Sequence, residues 1–128
     1  MKRLLLFPVL MTLLSGCYDI DENILPVVGI YRAHIVGVAG PFDLVISTAG
    51  GDDVIIEAPF DGDFWCTIRA DIDNQNERIM DMMINNQQVD RDVRIRGKGF
   101  FINNTLELRY TMDFGNETIN FKIVGTKL

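Results

Sequence analysis

Few residues of this chain have side chains suited to chemistry, and they are scattered along the sequence. His34 is the only histidine, so multi-histidine zinc sites are excluded and a catalytic triad would lack its usual support. Cys66 alternates in phase with Phe64 and Ile68, which predicts a buried thiol rather than a reactive one. The chain has no nucleophile elbow, phosphate-binding loop or dinucleotide fingerprint. We therefore expect a protein that is not an enzyme, with no catalytic residue and no cofactor.

Acidic residues form the second group that could do chemistry, since carboxylates are the ligands that Ca²⁺ prefers. Asp61 and Asp63 flank Gly62, and Asp52 and Asp53 precede them by about ten residues. Their spacing lacks the alternating ligands and the closing glutamate of a calcium loop, and acidic turns are common in proteins. We therefore predict no metal site.

The elements that must position any site are strands, because apolar residues recur at every second position. Eight segments show this alternation: residues 28–38, 42–48, 53–58, 64–73, 78–84, 92–102, 105–113 and 118–125. Glycine, asparagine and aspartate separate these segments, as expected of turns. One all-β domain over residues 27–128 follows, an antiparallel meander of about eight strands that is closed as a small barrel or folded as a β-sandwich.

The last three strands can be paired from their turns. A two-residue turn at residues 103–104 sets Gly97 opposite Tyr110, and a turn at residues 115–116 sets Tyr110 opposite Phe121. Both hairpins then oppose apolar side chains to apolar side chains. A slip by one residue would turn the apolar set of one strand to solvent, so the parity is determined, while a shift by two residues stays open.

The same pairing collects positive charge on the outer face. Lys98 falls opposite Arg109, and Arg109 falls opposite Lys122, with Arg96 two residues along. Directly opposed like charges destabilise a sheet, which favours a site for a phosphate, an acidic sugar or the carboxylates of a partner. The simpler interpretation, which we favour, is a row of solvated side chains relieved by Glu107.

Apolar residues also occupy outward positions, where a wet barrel wall would not need them. They are Ile35, Ile55, Trp65, Ile79, Met83, Phe100, Ile102 and Val124. The N-terminal tether, a second sheet layer or another protein could cover them, and we expect cover from within the chain. An exposed Trp65 is in addition a candidate aromatic contact for a sugar ring.

The inward positions predict a filled interior. They carry large side chains: Phe42, Phe64, Met80, Met82, Tyr110, Met112 and Phe121. Eight strands enclose room for packed side chains or for one small ligand. Apart from the Cys66 thiol, the only titratable group that we place inside is the hydroxyl of Tyr110, so the polar groups that usually orient a ligand are missing.

The first residues predict export. Lys2 and Arg3 precede an uncharged apolar run at residues 4–14, and small residues follow directly before Cys17, which is the layout of a secretory signal over residues 1–16. The apolar run has about half of the roughly 20 residues that a membrane-spanning helix needs. Loss of this segment would change the formal net charge from −6 to −8, since it contains two cations. Such a charge argues against a nucleic acid partner and against a basic membrane-binding face.

Residues 14–17, Leu-Ser-Gly-Cys, resemble the lipobox of bacterial lipoproteins. The resemblance implies cleavage before Cys17, a diacylglycerol on its sulfur and acylation of the new amino terminus. Several acyl chains make a stable anchor, and residues 17–26 would be the lipidated cysteine and a tether. The cysteine is followed by Tyr18 and not by aspartate, which resembles the pattern of lipoproteins sent to the outer membrane. The acidic residues Asp19, Asp21 and Glu22 resemble the surface-export signals of Bacteroidota lipoproteins. Cys66 is then left without a disulfide partner.

Residues 92–125 resemble the final strands of small lipocalin-like lipoproteins of Bacteroidota. The matching residues are Gly97, Gly99, Asn104, Thr105, Leu106, Leu108, Tyr110, Glu117, Thr118, Ile119, Asn120 and Phe121. The resemblance implies an anchored antiparallel barrel or sandwich and supplies no functional residues. We expect a non-enzymatic interaction or structural module of the cell envelope, on either face of the outer membrane, with a protein or glycan partner. The alternative is a lipocalin-like carrier of a small apolar ligand, and the oligomeric state stays open.

Overall fold

The computed structural model describes residues 22–76 and 79–128, which form one closed antiparallel barrel in meander order. A 3₁₀ helix, η1 (Glu22–Val27), precedes the strands. The strands are β1 (Gly29–Ile35), β2 (Ala39–Gly50), β3 (Asp53–Ala58), β4 (Cys66–Asn76), β5 (Ile79–Asp90), β6 (Val93–Ile102), β7 (Thr105–Asp113) and β8 (Thr118–Lys127). The predicted signal and Cys17 lie outside the described residues. Across residues 22–76 and 79–128, no helix has the length and apolar character to cross a bilayer.

The prediction of an all-β meander is confirmed, and of its two forms the barrel is the one that the chain adopts. Strand β8 returns to β1, from Tyr31 opposite Lys127 to Ile35 opposite Ile123. Each strand therefore has a hydrogen-bonded neighbour on both sides, and the sheet has no free edge for another chain to extend. The β-sandwich alternative is wrong, because it would leave β1 and β8 unpaired.

The predicted registers of the last two hairpins are confirmed. Gly97 pairs with Tyr110, and Tyr110 pairs with Phe121. The turn between β6 and β7 uses Asn103 and Asn104, whose φ angles of 50° and 62° suit a tight hairpin. Gly97 is required where it stands, since a Cβ there would lie 2.6 Å from the Cα of Tyr110.

Strand β1 corrects the prediction for Ile35, which was placed on the outer face. Tyr31, Ala33 and Ile35 all point inward and are at most 1% exposed. The segment carries apolar residues at both parities, so its alternation is ambiguous, and its pairing with β8 decides which set is inside. The hydroxyl of Tyr31 is therefore a second buried hydroxyl beside that of Tyr110.

The predicted inward position of Phe64 is also wrong, because its side chain is 76% exposed. Strand β4 begins two residues later, at Cys66, and Phe64 lies in the loop before it. Phe60, from the same loop, is fully buried in its place. The prediction of a filled interior still holds: Met80, Met82 and Tyr110 are at most 3% exposed within one continuous apolar core.

Both ends of the barrel are covered by chain segments that a buried tyrosine holds. At the end we call proximal, where the N-terminal segment joins, the Tyr31 hydroxyl donates to the carbonyl of Val27 in η1 over 2.6 Å. At the opposite, distal end, the Tyr110 hydroxyl donates to the carbonyl of Phe60 over 2.7 Å. A buried hydroxyl without a hydrogen-bond partner costs the folded protein free energy, so each of these bonds holds its covering segment on the barrel wall.

Helix η1 shortens the predicted tether, residues 17–26. Ile24 is 1% exposed and packs in the core, so the domain begins earlier than residue 27. The ammonium of Lys127 also donates to the carbonyl of Pro26 over 2.7 Å. The segment folds because its apolar side chains fill the proximal end of the barrel. The sequence of a short acidic segment does not by itself indicate this role.

Candidate functional site

The exposed apolar side chains of the barrel concentrate at its distal end. Val36, Val38, Phe64, Trp65 and Ile119 are between 36% and 76% exposed, and we call them the distal patch. They come from the turn after β1, the loop before β4 and the start of β8. Two of its members contact neighbouring segments. Val38 lies beside Gly62 of the loop before β4, since its Cγ1 would lie 2.9 Å from a Cβ at that position. The ring centroid of Trp65 lies 6.0 Å from that of Phe42 in β2.

The prediction that the outward apolar residues are covered by the chain itself is right for some residues and wrong for others. Ile55, Phe100, Ile102 and Val124 are half-buried on the barrel wall. Trp65, Ile79 and Met83 are 52%, 39% and 51% exposed. The described residues form a single sheet layer, so no second layer reaches these three side chains. Trp65 is exposed as expected, although it lies in a loop and not on a strand.

A cavity lies beside Trp65, within the rim of the distal end. Its volume is about 270 Å³. Most of its lining is apolar or aromatic: Phe64, Trp65, Cys66, Val89, Val93, Met112 and Phe114. Two acidic residues, Asp61 and Asp90, complete the lining. Four separate segments of the chain therefore converge on this cavity.

The acidic residues of the cavity have no cationic partner among the residues that the structure describes. Asp61 Oδ1 accepts the backbone N–H groups of Asp63 and Phe64, at 2.9 and 2.8 Å, and these bonds order the loop. Asp90 Oδ1 accepts the N–H of Arg91 at 2.7 Å. None of the ion pairs in the described part of the chain involves either carboxylate. The cavity thus combines an apolar lining with uncompensated negative charge.

Cys66 shows the effect of this surrounding on a titratable group. Burial raises the pKa of its thiol, and the charges of Asp61 and Asp90 raise it further, against a backbone hydrogen bond from Phe60. Because its pKa is raised, the side chain stays a neutral thiol at physiological pH. The thiolate is the reactive form of cysteine, so this surrounding lowers the reactivity of Cys66. The predicted buried, unreactive Cys66 is half-buried in the structure and makes part of the cavity lining.

The predicted row of basic residues has the expected register, with Lys98 opposite Arg109 and Arg109 opposite Lys122. Arg109 Nε and Lys122 Nζ lie 3.1 and 3.3 Å from the carboxylate of Glu107. Arg96 and Lys98 enter none of the ion pairs among the described residues. The row lines shallow grooves on the wall. Glu107 forms ion pairs with two of its four cations and so supplies one negative charge against them, which is the relief that the simpler interpretation predicts.

The acidic residues considered for calcium are not brought together. Asp52 and Asp53 lie at the proximal end with Asp71, where their carboxylate oxygens lie within 4.8 Å of one another. Asp61 and Asp63 lie at the distal end, on the far side of the barrel. A hydrogen bond with Asp71 raises the pKa of Asp53, and burial and the Asp71 charge add to this. The raised pKa of Asp53 thus reflects the mutual repulsion of these carboxylates.

Sequence reasoning singled out Asp61, Trp65 and Cys66 separately and missed that they meet. It also missed Asp90 and Phe114, which join them from the end of β5 and from the turn after β7. The available signal was the meander itself. In a meander every second turn lies at the same end of the sheet, so residues beside these turns share one rim.

Comparison with models of known protein families, with curated proteins and with solved structures gave no match.

Proposed function

We propose that this chain is a lipid-anchored, non-enzymatic interaction module of the cell envelope, and that it binds its partner with the distal end of the barrel. The observation that carries the proposal is the distal patch, where half of the large exposed apolar side chains of the described residues gather at one end. Exposed apolar side chains that are concentrated on one part of a surface are typical of protein interaction sites. Because side chains fill the interior of the barrel, we place the binding site on its outer surface.

The position of the N-terminal segment supports this orientation. The segment enters at the proximal end through η1, so an anchor on Cys17 would hold that end against the membrane. Between the Cα atoms of Cys17 and Glu22 the chain can span at most about 17 Å. The distal patch would then face away from the bilayer, toward a partner in the envelope or outside the cell.

The anchor is tested by labelling cells with a palmitate analogue and separating their membranes. We expect the full-length chain to carry the label and to sediment with the outer membrane. Cys17→Ser should lose both properties, because the thiol that forms the thioether is missing. Cys66→Ser is the matched control and should keep them. A labelled Cys17→Ser chain would contradict the anchor.

The binding end is tested by photo-cross-linking in the intact envelope. A benzoylphenylalanine in place of Phe64 probes the distal patch, while the same group at Met83 probes the wall and at Leu25 probes the proximal end. All three positions are exposed, at 76%, 51% and 48%. We expect one discrete adduct from position 64, weakened by Val38→Asp. A discrete adduct from position 83 alone would move the binding surface to the wall.

A carrier of a small apolar ligand is the second candidate, and the distal cavity is the observation that favours it. Native mass spectrometry of the full-length chain in detergent, compared with its denatured mass, distinguishes the two functions. We expect a bare chain. Extra mass that disappears on denaturation would favour the carrier, and its value would help to identify the ligand.

A further inference from the structure

We propose that the distal cavity binds an organic cation, an ammonium group carried on a short apolar stem. The proposal deepens the function proposed above, because it names the chemistry that the distal end recognises. It rests on three properties of the described residues: the aromatic lining, the unpaired carboxylates and the size of the cavity.

The aromatic lining suits a cation because the faces of aromatic rings carry negative charge. Trp65, Phe64 and Phe114 all line the cavity. Trp65 is already oriented by its edge-to-face contact with Phe42, at an interplanar angle of 82°. A ring held in this way loses little freedom on binding, so its contact with a ligand contributes more to the affinity.

The carboxylates supply the charge that selects a cation over a neutral molecule of the same shape. Asp61 and Asp90 border the cavity and enter no ion pair in residues 22–76 and 79–128. The surrounding rim is acidic as well. The turns of the distal end and the strand residues that flank them carry one basic residue, Arg91, and these acidic residues: Asp61, Asp63, Asp90, Asp92, Asp113 and Glu117. Arg94 pairs with Asp113, and the acidic residues still outnumber these two cations. This field attracts cations and repels anions.

The volume limits the ligand. The cavity measures about 270 Å³, which is below the range of roughly 300–1,000 Å³ that is usual for drug-sized ligands. It therefore fits a single side chain or a small amine. Apolar residues such as Val89, Val93 and Met112 would contact the stem while the ammonium group meets the carboxylates.

The test uses the full-length chain in a neutral maltoside detergent. Trp65 is the only tryptophan, so its fluorescence reports directly on the cavity. The probes are 2-phenylethylammonium and its neutral counterpart 2-phenylethanol. We expect the cation to bind at least about tenfold more tightly at low ionic strength. This preference should shrink in high salt, because salt screens the exposed carboxylates.

Two double variants locate the effect. Asp61→Asn with Asp90→Asn removes the charges that line the cavity and keeps the side-chain shapes, including the acceptor that orders the loop. Asp63→Asn with Asp92→Asn removes the same charge from the same two loops, outside the lining. We expect the first pair to weaken binding of the cation about tenfold and the second pair less than about threefold.

The source of the ammonium group is distinguished by a second pair of probes, blocked lysine and blocked norleucine, which differ in the ammonium group. If blocked lysine binds more tightly than 2-phenylethylammonium, the natural ligand is a lysine side chain of a partner protein. If 2-phenylethylammonium binds more tightly, the natural ligand is a small free amine. Equal binding of 2-phenylethylammonium and 2-phenylethanol, or no change in Trp65 fluorescence with either, would overturn the cation site. An adduct from position 64 in the cross-linking experiment would then still support the distal end as an interaction surface.

Discussion

At the scale of single residues, the clearest unfavourable contact lies in the proximal acidic group. Asp53 pairs directly with Asp71 across β3 and β4. Like charges opposed in this way destabilise a sheet, and Arg69, 3.4 Å from Asp53, offsets only part of the repulsion. The raised pKa of Asp53 means that the folded state holds a proton which the unfolded state releases. The loss of stability caused by the repulsion between Asp53 and Asp71 is therefore fully present at neutral pH and disappears in acid.

We predict that Asp71→Asn increases the free energy of unfolding at pH 7 by about 0.2–1 kcal/mol, the range for opposed like charges on neighbouring strands. The carbonyl oxygen of the new side chain can still accept the bond from Asn85, which is 2.8 Å long in the structure. Urea unfolding at pH 7 and at pH 3 measures the effect, and the gain should be smaller at pH 3. Glu57→Gln, on the outer face of the same β3, is the control and should be neutral. A less stable Asp71→Asn protein at pH 7 would contradict the assigned repulsion.

At the scale of elements, η1 is the segment whose role depends most on its surroundings. It is a short 3₁₀ helix that contains a proline, so its local propensity contributes little to its stability. Its two inward side chains, Ile24 and Val27, are at most 1% exposed, whereas Leu25 between them is 48% exposed. The helix is therefore held by burial at the proximal end and by its bonds to Tyr31 and Lys127.

This difference predicts opposite outcomes for neighbouring substitutions. Ile24→Ala should lower the free energy of unfolding by about 2–4 kcal/mol, because it leaves a cavity in the core. Leu25→Ala should change it by less than about 0.5 kcal/mol, as expected of an exposed position. Urea unfolding followed by Trp65 fluorescence measures both. Equal, small effects would mean that this segment is a free tether after all.

At the scale of the whole molecule, the two ends of the barrel are held in the same way, by Tyr31 at the proximal end and Tyr110 at the distal end. Burial raises the pKa of both phenols far above their ordinary value. Both therefore keep their protons in the folded state at a pH where the unfolded chain loses them. Their contribution to stability is complete below pH 10 and is lost as the pH rises further.

We predict that the free energy of unfolding falls above pH 10 by about 1.4 kcal/mol per pH unit for each of the two tyrosines. Urea unfolding at pH 8, 10 and 11 measures the slope. The double variant Tyr31→Phe with Tyr110→Phe should be less stable at pH 8, because two buried carbonyls lose their partners, and should show a much shallower slope. An unchanged slope in the double variant would assign the alkaline loss to other groups.

The local sequence pattern is enough to predict the strands of this protein and part of their pairing. The period-two alternation predicts the strands, because a strand presents every second side chain to one face. The turn at residues 103–104 and the apolar parity predict the registers from β6 to β8, because both depend on residues close in sequence. The row from Lys98 to Lys122 follows from those registers, and so does its relief by Glu107.

Only the tertiary structure decided the features that join distant segments. The barrel closes because β8 pairs with β1, and this pairing also chose the inward set of β1, including Ile35. Phe60 rather than Phe64 fills the distal end, since the chain turns into the core before β4 begins. The distal cavity likewise depends on separate turns that meet at one rim. These outcomes depend on how the whole sheet curves and closes, and the period of a single strand carries no information about that.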